Sequence, residues 1–477
     1  MEIEELAAAI AERYAGRRWI VPADVAAGAT ALVAYLRECG VDAVMVVAGT
    51  EGIGELPAAD VTFVTASRGD TMMTAIRAFL TAVEDPSDEL RAAVDAFDPS
   101  GAAMVLGGGF SRRDRLLGRP VYGARLAAWG ALEDKTIIDE LWDAAGVPRA
   151  PSRVVPVAEA AAVAPAMASD LGSVWVADNT EGWHGGGEYL RWVREPADVD
   201  EATTFFARRA RRVRVMPFLD GIPCSIHGFV ADDGVAVFRP VEMLILRRTD
   251  RSGLLYGRAA TFWEPTADVA AEMREAARRV GTELRRRVAY RGSFGIDGIA
   301  TIDGFRPTEL NPRASVGHFL QAQAAGLPYG SMERCFLAGD LDVDVRWLAE
   351  TVTAAAAEHR SGVSFVPIEG RYDETTVGVR FSDEGAAAVE LGGGGDEPAV
   401  DATMRIGPSA FGSVLMVRFD PDRTPVGPST APRALAAIDL ARELWNVDIP
   451  PVAASPDVLA RNDPSGQVEV DGDALAG

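Results

Sequence analysis

The pattern that most constrains this chain is an acidic residue, Asp297, followed after eleven residues by Glu309-Leu310-Asn311-Pro312-Arg313. On a strand, side chains two apart leave the same face, so Glu309, Asn311 and Arg313 point one way. Residues 294–301 read as a preceding strand, and Asp303-Gly304 supplies the turn between the two. Register decides whether Asp297 joins that face. A loop of three residues puts it there, whereas a loop of two throws it to the other side. Two carboxylates and an amide oxygen converging in this way suit Mg²⁺ (or Mn²⁺), a hard ion that takes oxygen ligands and leaves room for phosphates.

Composition narrows the classes that can use such a site. A chain of 477 residues has length for several domains and a buried core. The formal net charge of −23 argues against general nucleic-acid binding, which needs many cations facing phosphates. Four scattered histidines exclude a histidine-rich metal centre. Cys39, Cys224 and Cys335 are too far apart in sequence for a metal-ligand pair or a disulfide framework. No apolar run is long enough to span a membrane, and the start lacks a basic region followed by an apolar stretch, so a cytoplasmic location is expected. Arginine is used freely, but Lys135 is the single lysine. A lysine standing alone among arginines hints at a place where arginine would not serve.

Along the chain, residues 1 to about 120 alternate helical patterns with short apolar runs, as an open α/β sheet does. Gly49–Gly54, after the first of these runs, is similar to a phosphate-type glycine turn or only turns the chain, and Gly107–Gly109, after another, could equally line a cleft at the strand ends. A helix is expected from Asp134-Lys135 to Gly146, with Pro148 beyond it. Residues 174–176 and 189–193 read as a hairpin whose glycine-rich tip runs from Gly182 to Glu188 and includes His184, Gly185, Gly186 and Gly187. Such a tip can bring backbone N–H groups against phosphate oxygens. Residues 214–221 read as a strand containing Pro217, and 240–263 as a β-rich stretch in which Glu242 faces either a ligand or solvent. Residues 269–290 form an amphipathic helix rich in arginine. Ser315 and His318 open another helix, as cap and packing residues or as ligand contacts. Short strands, a Gly392–Gly395 loop and a last helix near 432–445 suggest an appended α+β region. The polar end from 451 is expected to be disordered at least in part.

Taken in order, these pieces resemble the ATP-grasp superfamily, in which an acidic residue precedes a Glu-x-Asn motif by about a dozen positions. The resemblance implies an N-terminal α/β domain (1–125), a linker and lid (126–215), an ATP-binding core (216–340) and a further α+β domain (341–450). It implies that Asp297, Glu309 and Asn311 hold Mg²⁺ on ATP, and that Arg313 stabilises charge at the reacting centre. Lys135 matches the basic residue that contacts the α-phosphate, and the 182–188 tip matches the loop over the β- and γ-phosphates. Relatives clamp adenine through the linker backbone. Pro217 has no N–H, so those contacts are expected from Met216 and Phe218, with Glu242 nearby. Ser315 and His318 match the segment bordering the acceptor. One departure stands out: relatives place a second basic residue before the lid loop, where this chain has Ala177-Asp178. Arg191 and Arg194 are the available substitutes. The activity implied is ATP-dependent joining of a small-molecule carboxylate to an amine through an acyl phosphate, in peptide or specialised-metabolite synthesis. Carboxylation, phosphorylation of an alcohol, or nucleotide binding without catalysis are the alternatives, and a homodimer is the assembly the resemblance suggests.

Overall fold

The computed structural model describes residues 2–109, 113–180, 184–391 and 399–461. The Gly182-Trp183 part of the glycine-rich tip, the Gly392–Gly395 loop and the end beyond 461 lie outside the described residues. The first sheet holds β1 (Arg18–Val25), β2 (Ala43–Thr50), β3 (Val61–Val64), β4 (Met104–Leu106), β5 (Arg115–Leu116) and β6 (Arg119–Tyr122), in the order β3-β2-β1-β4-β6-β5. Strand β2 is buried at every position but its last, as its unbroken apolar run requires of a parallel strand covered on both faces. The order reverses between β1 and β4, which opens a crevice outside their C-terminal ends.

A second sheet, ordered β7-β10-β8-β9, is built from β7 (Arg153–Pro156), β8 (Ser173–Ala177), β9 (Leu190–Val193) and β10 (Arg212–Pro217). Its helices, Ala160–Met167 and Pro196–Phe206, pack on one face around Trp175 and Phe206. The expected helix from Asp134 begins later, at Ile138. The reason is local: the Asp134 carboxylate accepts from the Thr136 N–H and hydroxyl, a turn that competes with helix and leaves Lys135 in the connection. That helix ends as expected, with Gly146 at φ 65°.

Among the described residues the third sheet has twelve strands. β11 (Ile222–Ala231), β13 (Val241–Arg248), β14 (Leu254–Ala260), β15 (Gly292–Thr301) and β16 (Gly304–Asn311) form its first half, with β12 (Gly234–Val237) beside β11. β17 (Gly362–Ile368), β18 (Thr375–Ser382), β19 (Gly385–Val389), β20 (Ala402–Ser409) and β21 (Gly412–Phe419) extend it, because β14 pairs with β17. One apolar cluster runs beneath both halves, from Trp142 to Val417 and Ile438. The helix Ala267–Val288 lies on this sheet. Its Glu283 pairs with Arg286 and Arg287 in the last turn, where cations also suit the helix dipole. The chain end departs from expectation: residues 452–453 form β22 (Val452–Ala453) against β13, and Pro456–Arg461 is helical. Main-chain pairing and apolar burial of Ala454 and Val458 order what composition alone marked as loose.

Candidate active site

The β15–β16 hairpin answers the register question in a way neither loop length anticipated. Thr301 pairs with Gly304, so the loop holds only Ile302-Asp303, which by itself would turn Asp297 away. A bulge then inserts Thr308: Gly298 pairs with Pro307, but Asp297 pairs with Glu309. The extra residue restores the face, and Asp297, Glu309 and Asn311 converge. Asn311 Nδ2 donates to Asp297 Oδ2 at 2.8 Å. Arg313 Nη2 donates to Asn311 Oδ1 at 3.1 Å, and its Nε to Glu133 Oε1 at 3.1 Å. Lys135 Nζ lies 3.0 Å from Glu309 Oε1. Burial, and after it the charge of Glu309, raises the Asp297 carboxyl above its ordinary range.

Asp297, Glu309, Asn311 and Arg313 line a cleft of about 310 Å³ between the second and third sheets. Gly185, Gly186 and Gly187 form its roof, Met216, Pro217, Phe218 and Leu219 its back edge, and Met243, Ile245 and Tyr256 its floor. Lys135 and His184 line a smaller adjoining recess with Tyr189. The donor set fits a hard dication. Its atoms are carboxylate and amide oxygens on one face, and the mutual repulsion of Asp297 and Glu309 is the imbalance that such a charge would offset.

Other expected positions fall elsewhere. Glu242 is turned to the opposite face of β13 from Met243 and is absent from the cleft lining, a correction to its expected place by the nucleotide or in solvent. Its carboxylate accepts from the Ser429 hydroxyl and from Thr430 N at 2.8 Å, tying the sheet to the start of the helix Ala431–Trp445. Ser315 reaches the cleft, but His318 is fully buried. Ser315 N donates to His318 Nδ1 at 3.1 Å, and His318 Nε2 lies 3.2 Å from Gly228 O, so the ring caps its helix and packs against His227. Phe218 N donates to Gly172 O at 2.9 Å, and antiparallel alternation gives Met216 the same orientation toward Val174. Their N–H groups are therefore spent on β8, and the carbonyl of Pro217 is the hinge group turned away from it.

Neither candidate for the missing second cation faces the cleft. Arg191 stacks on Phe205, 3.5 Å from the ring centre, and Arg194 stacks on Trp192. Asp178, in the departing position, accepts from the N–H groups of Arg211 and Arg212 and joins the two lid strands. His184 sits at the end of β8 instead, with Nε2 3.2 Å from Ala177 O. Burial and the nearby Lys135 charge press its pKa down to about 3, so it is neutral.

Several cleft residues had no sequence signal. Met72, Met73 and Ile76 come from the helix Met72–Glu84 beside the first sheet. From the same helix Arg77 makes a two-point ion pair with Glu188, at 2.8 and 2.7 Å, and ties the lid loop across the cleft. Arg125 donates to Gly109 O and to Pro312 O, joining the glycine run after β4 to the turn that carries Arg313. Only a nearby glycine run marked this end of the site. Asp24 at the end of β1 and the exposed Arg258, at φ 71° in β14, interact electrostatically in the same region.

An α/β sheet with a switch-point crevice, a small antiparallel lid and a large core sheet, with a cleft between lid and core, define the ATP-grasp fold. No protein-family model and no curated protein matches the sequence. Solved structures do. Pyruvate carboxylase of Rhizobium etli is 16% identical with a TM-score of 0.56, covering 92% of this chain but only 38% of its own. Biotin carboxylase of Campylobacter jejuni, described as a β,γ-ATP complex, is 13% identical over 84% of this chain and 87% of its own, with a TM-score of 0.54. The biotin carboxylase domain of Hydrogenobacter thermophilus 2-oxoglutarate carboxylase, described with MgADP, ADP and bicarbonate, is 15% identical over 91% of both chains, with a TM-score of 0.52. At such identities the likeness establishes the fold. Among the described residues, no helix is long and apolar enough to cross a membrane.

Proposed function

We propose that this protein is an ATP-dependent ligase that activates a small-molecule carboxylate and joins it to an amine, releasing ADP and phosphate. The observation that carries the reading is the convergence of Asp297, Glu309 and Asn311 on one face, beside Lys135 and Arg313, under a glycine-lined roof. Mg²⁺ held by Asp297, Glu309 and Asn311 would draw off charge from the β- and γ-phosphate oxygens. A carboxylate oxygen attacks the γ-phosphorus and ADP leaves. The amine nitrogen then attacks the acyl carbon, and phosphate leaves as the nitrogen loses a proton.

The chain's own groups have defined parts in that sequence. Lys135, now paired with Glu309, carries a flexible four-carbon stem that would let its ammonium exchange the carboxylate for a phosphate oxygen. Arg313 is held by Glu133 and Asn311 with its guanidinium at the cleft wall, where it would face negative charge on the acyl phosphate and on the tetrahedral intermediate. The Arg77–Glu188 pair keeps the roof down, and Met72, Met73 and Ile76 make that side apolar, which limits hydrolysis of an activated acyl group.

The test is ADP and phosphate release from Mg-ATP with a panel of amino acids and small peptides, with product masses read in parallel. A product one water lighter than its two substrates is expected. ADP formation that requires bicarbonate or an alcohol, without a condensed product, would replace this reading with a carboxylase or kinase.

A further inference from the structure

The hinge between lid and core is crossed by a segment far away in sequence. β22 pairs with the outer end of β13, and Thr249 N donates to Pro451 O at 3.0 Å. Arg247 then grips the next turn: its Nε and Nη2 donate to Ala454 O at 3.0 and 2.6 Å. Ser455 Oγ donates to Asp220 Oδ1 at 2.9 Å, and Asp457 N to the same oxygen at 3.3 Å. Asp220 follows the hinge residues Pro217, Phe218 and Leu219, all of which line the cleft. Arg247 and Ser455 line it as well.

We propose that residues 451–457 are a built part of the nucleotide site, a strap that forms the outer wall of its base-binding end and holds Arg247 and Ser455 at the base edge. This rests on the nucleotide reading given above. The chemistry is consistent with a purine. Two of Arg247's nitrogens are committed to Ala454 O, and a guanidinium has five N–H groups, so donors remain for ring nitrogens of the base. Ser455 gives its one proton to Asp220 and keeps lone pairs that can accept from an exocyclic amine. With the Phe218 N–H committed to Gly172 O, a donor from outside the hinge has a clear role. By pinning Asp220 the strap also positions the hinge backbone, so Ser455 has a positioning part in addition to its place at the base edge beside Arg247.

The test compares Mg-ATP with Mg-tripolyphosphate, which carries the phosphates and no base, by titration calorimetry on the full chain and on Arg247→Met and Ser455→Trp. Arg247→Met is expected to weaken ATP roughly 10- to 100-fold, the size of a lost charge-assisted contact, with tripolyphosphate unchanged. Ser455→Trp is expected to block ATP while tripolyphosphate still binds, which also certifies that the variant is folded. Equal ATP affinity in Arg247→Met and wild type would overturn the proposal, as would a parallel loss of both ligands. Wild-type protein that binds neither ligand would instead refute the nucleotide reading on which the proposal rests.

Discussion

Two acidic side chains on the same large sheet, Asp297 and Glu242, have similar burial chemistry and opposite surroundings. Desolvation raises both carboxyls above their ordinary range. Glu242 is offset within the fold, by the Ser429 hydroxyl and the Thr430 N–H at the start of a helix, where a carboxylate is favoured. Asp297 faces a second carboxylate, Glu309, and the Asn311 amide, the Ser225 hydroxyl and the Arg313 charge do not outweigh that repulsion and its burial. A folded chain gains nothing from placing like charges at paired strand positions, which ordinarily destabilises a sheet. One buried acid is satisfied within the fold; on the proposed function the other is kept for a bound cation.

The comparison breaks if both behave alike on substitution. Glu309→Ala, or Asp297→Asn, is expected to lower turnover at least about 10²-fold by removing a ligand that places charge on the transferred phosphoryl group. For Asp297→Asn thermal unfolding should stay level or rise, since a repulsion is relieved; Glu309→Ala also removes the partner of Lys135 and is read by turnover alone. Glu242→Ala should do the reverse. Stranding the Ser429 hydroxyl and Thr430 N–H should cost about 2 kcal/mol of stability in denaturant melts while the KM for ATP holds. A destabilised Asp297→Asn would return that residue to a structural role.

The histidines sharpen the contrast through pH. Burial lowers the pKa of His184 to about 3 and of His318 to about 4, both below the unfolded value near 6.5. Between those limits the unfolded chain binds more protons, so stability falls as pH drops below about 6.5. Each histidine contributes up to about 1.4 kcal/mol per pH unit. Asp297 and Glu242 have raised values and act with the opposite sign: their contribution favours folding in acid and is lost as pH rises through their folded pKa. Melting from pH 8 to 5 should therefore show a decline beginning near 6.5. The decline should be shallower in His318→Gln if that variant keeps the contact to Gly228 O.

How much of this was legible follows from the distance over which each signal acts. Glu309, Asn311 and Arg313 were readable because a strand's two-residue period is local. Their agreement with Asp297 was not, because it depends on a bulge at Thr308 that no turn residue marks. The lid hairpin followed from apolar runs and turns, but the strands after residue 361, read as a separate appended α+β region, continue the core sheet through the β14–β17 pairing, which no local signal marks. Glu242 and His318 were misplaced because a polar residue in an apolar strand or at a helix start looks the same whether its partner is a ligand or a residue such as Ser429, 187 positions away. At the hinge, knowing that Pro217 lacks an N–H does not reveal which neighbours already bond to β8. Arg77, Arg125 and Arg247 had no signal because an arginine's partner is set by tertiary approach.

The smallest expected effect concerns the roof, and it separates closure from chemistry. Arg77 and Glu188 make a forked pair between the helix at the first sheet and the residue after Gly187, both partly exposed. Pairs of this kind contribute up to about 1 kcal/mol, so Glu188→Gln should change the KM for ATP only about 2- to 5-fold. Its informative readout is leakage. If the pair holds the glycine roof closed over an activated acyl group, the variant should release more ADP per condensed product while the Asp297–Glu309 end remains intact. The exchanged pair Arg77→Glu with Glu188→Arg should recover part of that coupling. An unchanged ratio of ADP to product in Glu188→Gln would make the ion pair a surface tie, and water exclusion would then rest on Met72, Met73 and Ile76 alone.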